Sequence, residues 1–290
     1  MPLSSVYQSG RVGLSFELFP PKTAELEGAL WEHVEKLGEF RPDFFTCTYG
    51  AGGSTRDKTL DIVSQVKRRC RVAVASHLTC VGSTIDELRS YLTAARSANV
   101  DYIVALRGDP PRGQTEFQAV TGGLRYANEL VSLIRAEFPE FGIAVAGYPE
   151  VHQEAPSAEV DLENLRRKVD AGADIIVTQL FYDNTDFFRF RDRCEQAGIR
   201  VPIVPGLLPV TNLAQVQRLA SLCKAKLPSD FVAELARQDD ADWQFQCGVD
   251  FATRQLRDLL DRGVPGVHFY VLNRSSAASQ VLQAAWPVSS

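Results

Sequence analysis

The sequence has no long apolar run. No window approaches the ~18 consecutive apolar residues that a membrane span requires, and the opening "MPLSSVYQSG" has no apolar core of the kind a secretory leader needs. Basic clusters are scarce too. Lys and Arg total 31 against 36 Asp and Glu, for a net charge of −5, and the densest basic stretch is "LRRK" at 165–168. That is too short for a nucleic-acid tail or a membrane patch. The six cysteines, at 47, 70, 80, 194, 223 and 247, include no C-x-x-C pair. They read as thiols of a reducing cytoplasm, not as a disulfide framework or a zinc site. The four histidines include no His-x-His pair, which speaks against a metal-dependent hydrolase. A P-loop is missing, and no G-x-G-x-x-G follows the first apolar run, as an open dinucleotide-binding sheet would show.

What is present suits a globular enzyme. Hydrophobic residues make up 45% of the 290, with a mean hydropathy of −0.12, which supplies a core without strain on solubility. Apolar, β-rich runs recur along the chain: "GLSFELF", "FFTCTY", "VAVASHLTC", "YIVALRG", "IAVAGYP", "DIIVTQLFY", "PIVPGLLP" and "GVHFYVLN". Their near-continuous Val, Ile, Leu and Phe content suits strands buried on both faces of a parallel sheet. Helical patterns fill the gaps. Thr84-x-x-Glu87 is a capping box at the start of "TIDELRSYLTAAR", and Gly172 stands where a helix over "AEVDLENLRRKVDAGA" would end. Eight strand–helix units predict an α/β (β/α)8 TIM barrel, one domain over 1–290. "GAGGST" at 50–55 reads as a flexible strand-to-helix loop, and the long crossover 226–262 is expected to carry extra helices before the eighth strand.

In such a barrel the carboxyl ends of the strands form the active face. Here those ends are polar: Glu17; Thr48-Tyr49-Gly50; His77 and Thr79; Arg107-Gly108-Asp109; Tyr148 to Glu150 with His152; Gln179; Asn273-Arg274. Polar groups gathered at one end of nearly every strand are hard to attribute to packing, because each buried one without a partner costs about 1–3 kcal/mol. No apolar run contains a lysine, so a Schiff-base aldolase does not fit. With neither metal nor nucleophile in view, the chemistry calls for an organic cofactor, the protein supplying acid–base groups and placement. The first acid raises a question of its own. Glu17 lies between Phe16 and Leu18, just before Pro20-Pro21. It fits an edge-strand acid facing solvent or paired with arginine equally well. It also fits a proton donor whose pKa is raised by Phe16, Leu18 and Phe19.

Eight peptides, "SFELFPPKT", "TYGAGGSTRDKT", "SHLTC", "ALRGDPP", "YPEVHQEA", "DLENLRRKVDAGAD", "TQLFYD" and "PGLLPV", together resemble the methylenetetrahydrofolate reductase family in order and spacing, from about residue 12 to 275. The resemblance implies a flavin-bearing barrel that uses NADH or NADPH to reduce methylenetetrahydrofolate to methyltetrahydrofolate in one-carbon metabolism. It implies a catalytic domain alone, without the regulatory domain through which eukaryotic members sense S-adenosylmethionine. By residue, it implies Glu17 as general acid and Asp109 at the flavin and the folate. FAD would be held by Tyr49, Ala51, His77, Arg107, Gly108, Asp109, Tyr126, Ala127, Tyr148, His152, Ala155, Asp161, Asn164, Arg167 and Lys168. Thr48 and Gln179 would meet the nicotinamide, and Gln179, Gln215 and Arg274 the folate.

Asp161, Asn164 and Lys168 are spaced to share one helix face, a pattern that an ordinary solvated helix also shows. "GDPP" reads equally as a simple turn. Leu219 stands where some bacterial relatives carry a stacking aromatic. A flavin-free methyl-transfer barrel, or a non-catalytic folate- or flavin-binding regulator, remains an alternative. The oligomeric state, a homo-oligomer included, and the choice between NADH and NADPH are not legible.

Overall fold

The computed structural model describes residues 3–7, 10–48, 56–110 and 117–287. Nine parallel strands alternate with helices in a nearly closed (β/α)8 barrel. The strands are β1 (Gly13–Leu18), β2 (Phe44–Cys47), β3 (Ala73–Thr79), β4 (Tyr102–Leu106), β5 (Gly142–Gly147), β6 (Ile175–Thr178), β7 (Ile203–Val204), β8 (Gly206–Leu207) and β9 (Gly266–Tyr270). Each apolar run of the sequence contains one of them to within a residue, except the seventh, which holds two. Pro205 interrupts it because proline has no N–H to give a ladder. The near half, β7, pairs with β6, and the far half, β8, pairs with β9. The Pro205 carbonyl still accepts from His268 N at 2.9 Å, so the ring is carried across the break.

Alternation along β1 decides where its acid goes. Leu14, Phe16 and Leu18 belong to the outer core between sheet and helices, with Leu30, Val34 and Leu37 of α1 (Ala24–Gly38). Ser15 and Glu17 therefore face the barrel axis. An inner core of Phe44, Ala75, Tyr102, Val104, Ala144, Ile175 and Val204 fills the lower barrel. A short 3₁₀ helix, Leu3–Tyr7, closes the bottom, with Leu3 and Tyr7 in the same cluster. Tyr7 lies so close to Gly13 and Gly266 that a Cβ at either would meet its ring at 2.6 or 2.5 Å.

Local signals match their elements. Thr84 and Glu87 form the reciprocal capping box of α3 (Ile85–Ser97). Past α5 (Ala158–Asp170), Gly172 takes φ +115°, the region a Cβ disfavours. The long crossover holds two additional helices, α8 (Ser229–Leu235) and α9 (Ala241–Asp261), after α7 (Leu213–Cys223). Among the described residues no helix is long and apolar enough to cross a membrane.

Candidate active site at the carboxyl mouth of the barrel

Two cavities meet at the carboxyl ends of the strands. The first, about 430 Å³, is lined at its floor by Glu17, Thr46, His77 and His268, and on its walls by Arg107, Gly108, Asp109, Tyr148, Gln179, Leu219 and Tyr270, among others. The second, about 490 Å³, runs outward over α5 and the start of α4 (Ala127–Glu137). It is lined by Tyr126, Ala127, Tyr148, His152, Ala155, Asp161, Asn164, Arg167 and Lys168. Leu106, Arg107, Ala146, Tyr148 and His152 line both. Each volume falls in the range of small-molecule sites, ~300–1,000 Å³.

The floor is a line of polar groups. Glu17 Oε2 lies 3.3 Å from His77 Nε2 and 4.0 Å from His268 Nε2. The other nitrogen of His268, Nδ1, is 2.8 Å from Ser15 Oγ. Strand pairing makes this line: Ser15 is opposite His268 and Glu17 opposite Tyr270 on β9, while Glu17 is opposite Thr46 on β2. Tyr270 stands edge-on to the His268 ring, centroids 5.1 Å apart, and donates to Thr178 O at 2.7 Å.

The expectation of an apolar setting for Glu17 is corrected here. Phe16 and Leu18 point to the opposite side of the strand, and Phe19 is at the exposed rim, so the carboxyl meets two imidazoles. Burial pushes its pKa up, but the hydrogen-bonding and positive charge of His268 and His77 outweigh it and hold the group at about 2. With the folded-state value depressed, the resulting stability is fully present above the ordinary carboxylate range and is lost as pH falls toward the folded value. The gap in melting temperature between the wild type and Glu17→Gln is therefore expected to move against the wild type as pH falls from about 4.5 toward 2. A pH-independent gap would show that the imidazoles do not hold the carboxylate.

On the second cavity, Lys168 is half-buried against the sheet, where its ammonium donates to Ala146 O at 2.5 Å and lies 6.0 Å from the Tyr148 ring centre. Burial pushes it down to about 8, against the pull of Asp161. Asp161 accepts from His152 N at 3.0 Å, and Tyr148 and His152 meet edge to face at 4.6 Å. Gly108, at φ +88°, allows the chain to turn where a Cβ would meet Val81 Cγ1 at 2.6 Å. Asp109 is exposed at the rim of the first cavity.

The family-model comparison matches methylenetetrahydrofolate reductase over residues 3–285. The chain belongs to the methylenetetrahydrofolate reductase family. Members of this family are oxidoreductases. The chain is 42% identical over 268 residues to 5,10-methylenetetrahydrofolate reductase of Escherichia coli, covering 92% of this chain and 88% of that protein. It is 41% identical over 291 residues to methylenetetrahydrofolate reductase (NADH) 1 of Arabidopsis thaliana, covering 97% of this chain and 49% of the plant protein. The chain thus spans about half the length of that plant relative. Among solved structures, an uncharacterised protein from Clostridium thermocellum, whose description says it binds two copies of 5-methyl-5,6,7,8-tetrahydrofolic acid, superposes with a TM-score of 0.63. The overlap covers 97% of each chain at 14% identity, a likeness of fold.

Three of the residues singled out for this reductase family stand away from the cavity walls. Gln215 sits in the first turn of α7, where its side-chain oxygen accepts from Thr211 N and Oγ1 at 3.3 and 2.7 Å, as a helix-start residue does. Arg274 is exposed beyond the end of β9 and does not line the cavity. Thr48 follows β2 with its carbonyl held by Thr59 Oγ1 at 2.9 Å. Tyr49 and Ala51, with the "GAGGST" loop, lie outside the described residues. The sequence reading passed over Ser15, His268, Tyr270 and Glu154. For His268 and Tyr270 the signal is parity: in "GVHFYVLN" they alternate with the outward Val267 and Phe269.

Proposed function

We propose that the chain reduces 5,10-methylenetetrahydrofolate to 5-methyltetrahydrofolate, taking electrons from NADH or NADPH through bound FAD, with Glu17 as general acid. The observation that carries this reading is the Glu17 carboxyl among two imidazoles at the floor of a ring-sized cavity that opens onto a second, cation-bearing one. The names of the relatives and of the fold neighbour supply the folate.

The residues present fit a flavin dinucleotide. Lys168 and Arg167 are cations suited to phosphates, while Asp161 and Asn164 offer polar contacts to an adenosine or ribityl chain. Gly108 lines the first cavity, where its backbone can face a planar ring. Bound there, FAD supplies a relay for hydride between nicotinamide and folate.

The chain's own groups do the rest. Asp109, at the rim, places negative charge beside the ring site and so opposes reduction there. Gln179, on the wall of the first cavity, offers an amide to either substrate ring. Opening the imidazolidine ring of the folate requires a proton on the leaving nitrogen, and Glu17 is the acid at the floor of the cavity. Its low pKa in the open site means that Glu17 must take up its proton as the folate binds. The folate fills the cavity and displaces the water that solvates the carboxylate. Excluding that water favours the neutral acid.

With one cavity for both rings, nicotinamide and folate bind in turn. Initial rates at several fixed folate concentrations are expected to give parallel double-reciprocal lines, on a protein that purifies with the absorption of oxidised flavin. Intersecting lines, or a colourless protein with full activity, would contradict the reading.

A further inference from the structure

Between the two cavities stands an ion pair, Arg107 with Glu154, whose acidic member has been given no role so far. Arg107, just past β4, is the one permanent cation among the residues lining both spaces. Glu154 grips its guanidinium with both carboxylate oxygens, Nη1 to Oε2 at 2.6 Å and Nη2 to Oε1 at 2.7 Å. Such a two-point pair fixes orientation as well as distance. Nε donates to Gly108 O at 3.2 Å, and the guanidinium lies 5.0 Å from the Phe117 ring centre. The pairing lowers the Glu154 pKa and raises that of Arg107, each through the hydrogen bonds to the other.

Glu154 is itself held. Its N–H donates to His152 Nδ1 at 3.1 Å, and His152 N donates to the Asp161 carboxylate on α5 at 3.0 Å. Val151, at φ 71°, provides the turn that starts this loop. The chain of contacts therefore runs from the helix face of the outer cavity, through His152 and Glu154, to the cation at the seam. Without Glu154, the guanidinium would have Asp109 as the neighbouring anion, whose charge already acts on it.

We propose that Glu154 is a positioning residue: by fixing the Arg107 guanidinium at the seam between the cavities, it sets how tightly a dinucleotide spanning them is held. This rests on the FAD reading above. Glu154 works through Arg107, and its effect disappears when Arg107 is absent.

The test is a double-mutant cycle read by flavin release. Holoprotein is diluted, and the recovery of free-flavin fluorescence gives the dissociation constant for wild type, Glu154→Gln, Arg107→Gln and the double variant. Each single change is expected to weaken retention about tenfold, the scale of one lost hydrogen bond to a charged group. The double variant is expected to be no weaker than Arg107→Gln alone, the signature of coupled residues. Glu154→Asp, which keeps the charge, is expected to recover part of the loss, and serves if Glu154→Gln fails to fold. Release from Glu154→Gln at the wild-type concentration, or losses that multiply in the double variant, would overturn the proposal alone. A wild type that takes up no flavin would overturn it together with the reading beneath it.

Discussion

Glu17→Gln is expected to lower the turnover of methylenetetrahydrofolate by about 10²–10⁴-fold, the usual contribution of a positioned general acid. Glutamine has the size and shape of glutamate, so it can keep its place among His77, His268 and Thr46 on the barrel floor. What it lacks is a proton to give. The leaving nitrogen must then depart as an anion or take its proton from water, and the cavity admits little water once the folate fills it. Because protonation occurs only on the way to the transition state, kcat and kcat/KM should fall together while folate affinity changes little. Formation of methyltetrahydrofolate at saturating nicotinamide measures the loss. A decrease below tenfold would place the acid elsewhere. The leading candidate would then be His268, the other group on the floor linked through Ser15 to the strand interior.

The second large effect concerns the seam in the barrel wall. Gly206, at the start of β8, donates from its N–H to Thr178 Oγ1 at 2.9 Å. A Cβ there would stand 2.2 Å from Thr178 O and 2.6 Å from Tyr270 Cε2. The first of these is backbone of β6, across the break at Pro205, and cannot turn aside. Gly206→Ala is therefore expected to cost about 1–3 kcal/mol or more, a fall of roughly 2–10 °C in melting temperature for a chain of this size. It should also cost activity, because Thr178 O accepts from Tyr270 OH, and Tyr270 braces His268 beside Glu17. Gly28→Ala is the matched control. That glycine lies in α1 with open space around its would-be Cβ, so alanine should be neutral or stabilising by up to about 1 kcal/mol. Differential scanning calorimetry on the two variants decides the matter. Equal melting temperatures would mean that the wall around Gly206 yields more easily than its geometry indicates.

The barrel was legible because parallel strands buried on both faces leave near-continuous apolar runs, and because cap residues such as Thr84 and Gly172 mark the helices between them. Pro205 also stood in plain view. What it does to a strand that must pair on both sides becomes clear only once β6 and β9 are its neighbours. The face of α5 carrying Asp161, Asn164 and Lys168 was readable from helical spacing, and the structure brings these residues to one cavity wall.

The surroundings of Glu17 were harder to read. Sequence neighbours of a strand residue point the other way, so Phe16 and Leu18 say nothing about the medium of the carboxyl. Its real neighbours, His77 and His268, come from the facing sides of β3 and β9, far away in the chain. Glu154 escaped notice for the same reason: its partner is 47 positions away. Gln215 shows the opposite case, since Asn212 followed three residues later by Gln215 is a helix-start pattern whose local bonds compete with any ligand.

Stopped-flow absorbance under anaerobic conditions, with the two half-reactions followed one at a time, bears most directly on Glu17 as the proton donor to the folate. In the wild type, NADH or NADPH should bleach the flavin band, and methylenetetrahydrofolate should restore it. In Glu17→Gln the bleaching should proceed at nearly the wild-type rate, and the colour should not return. Recovery at the wild-type rate, or an equal slowing of both phases, would contradict the assignment.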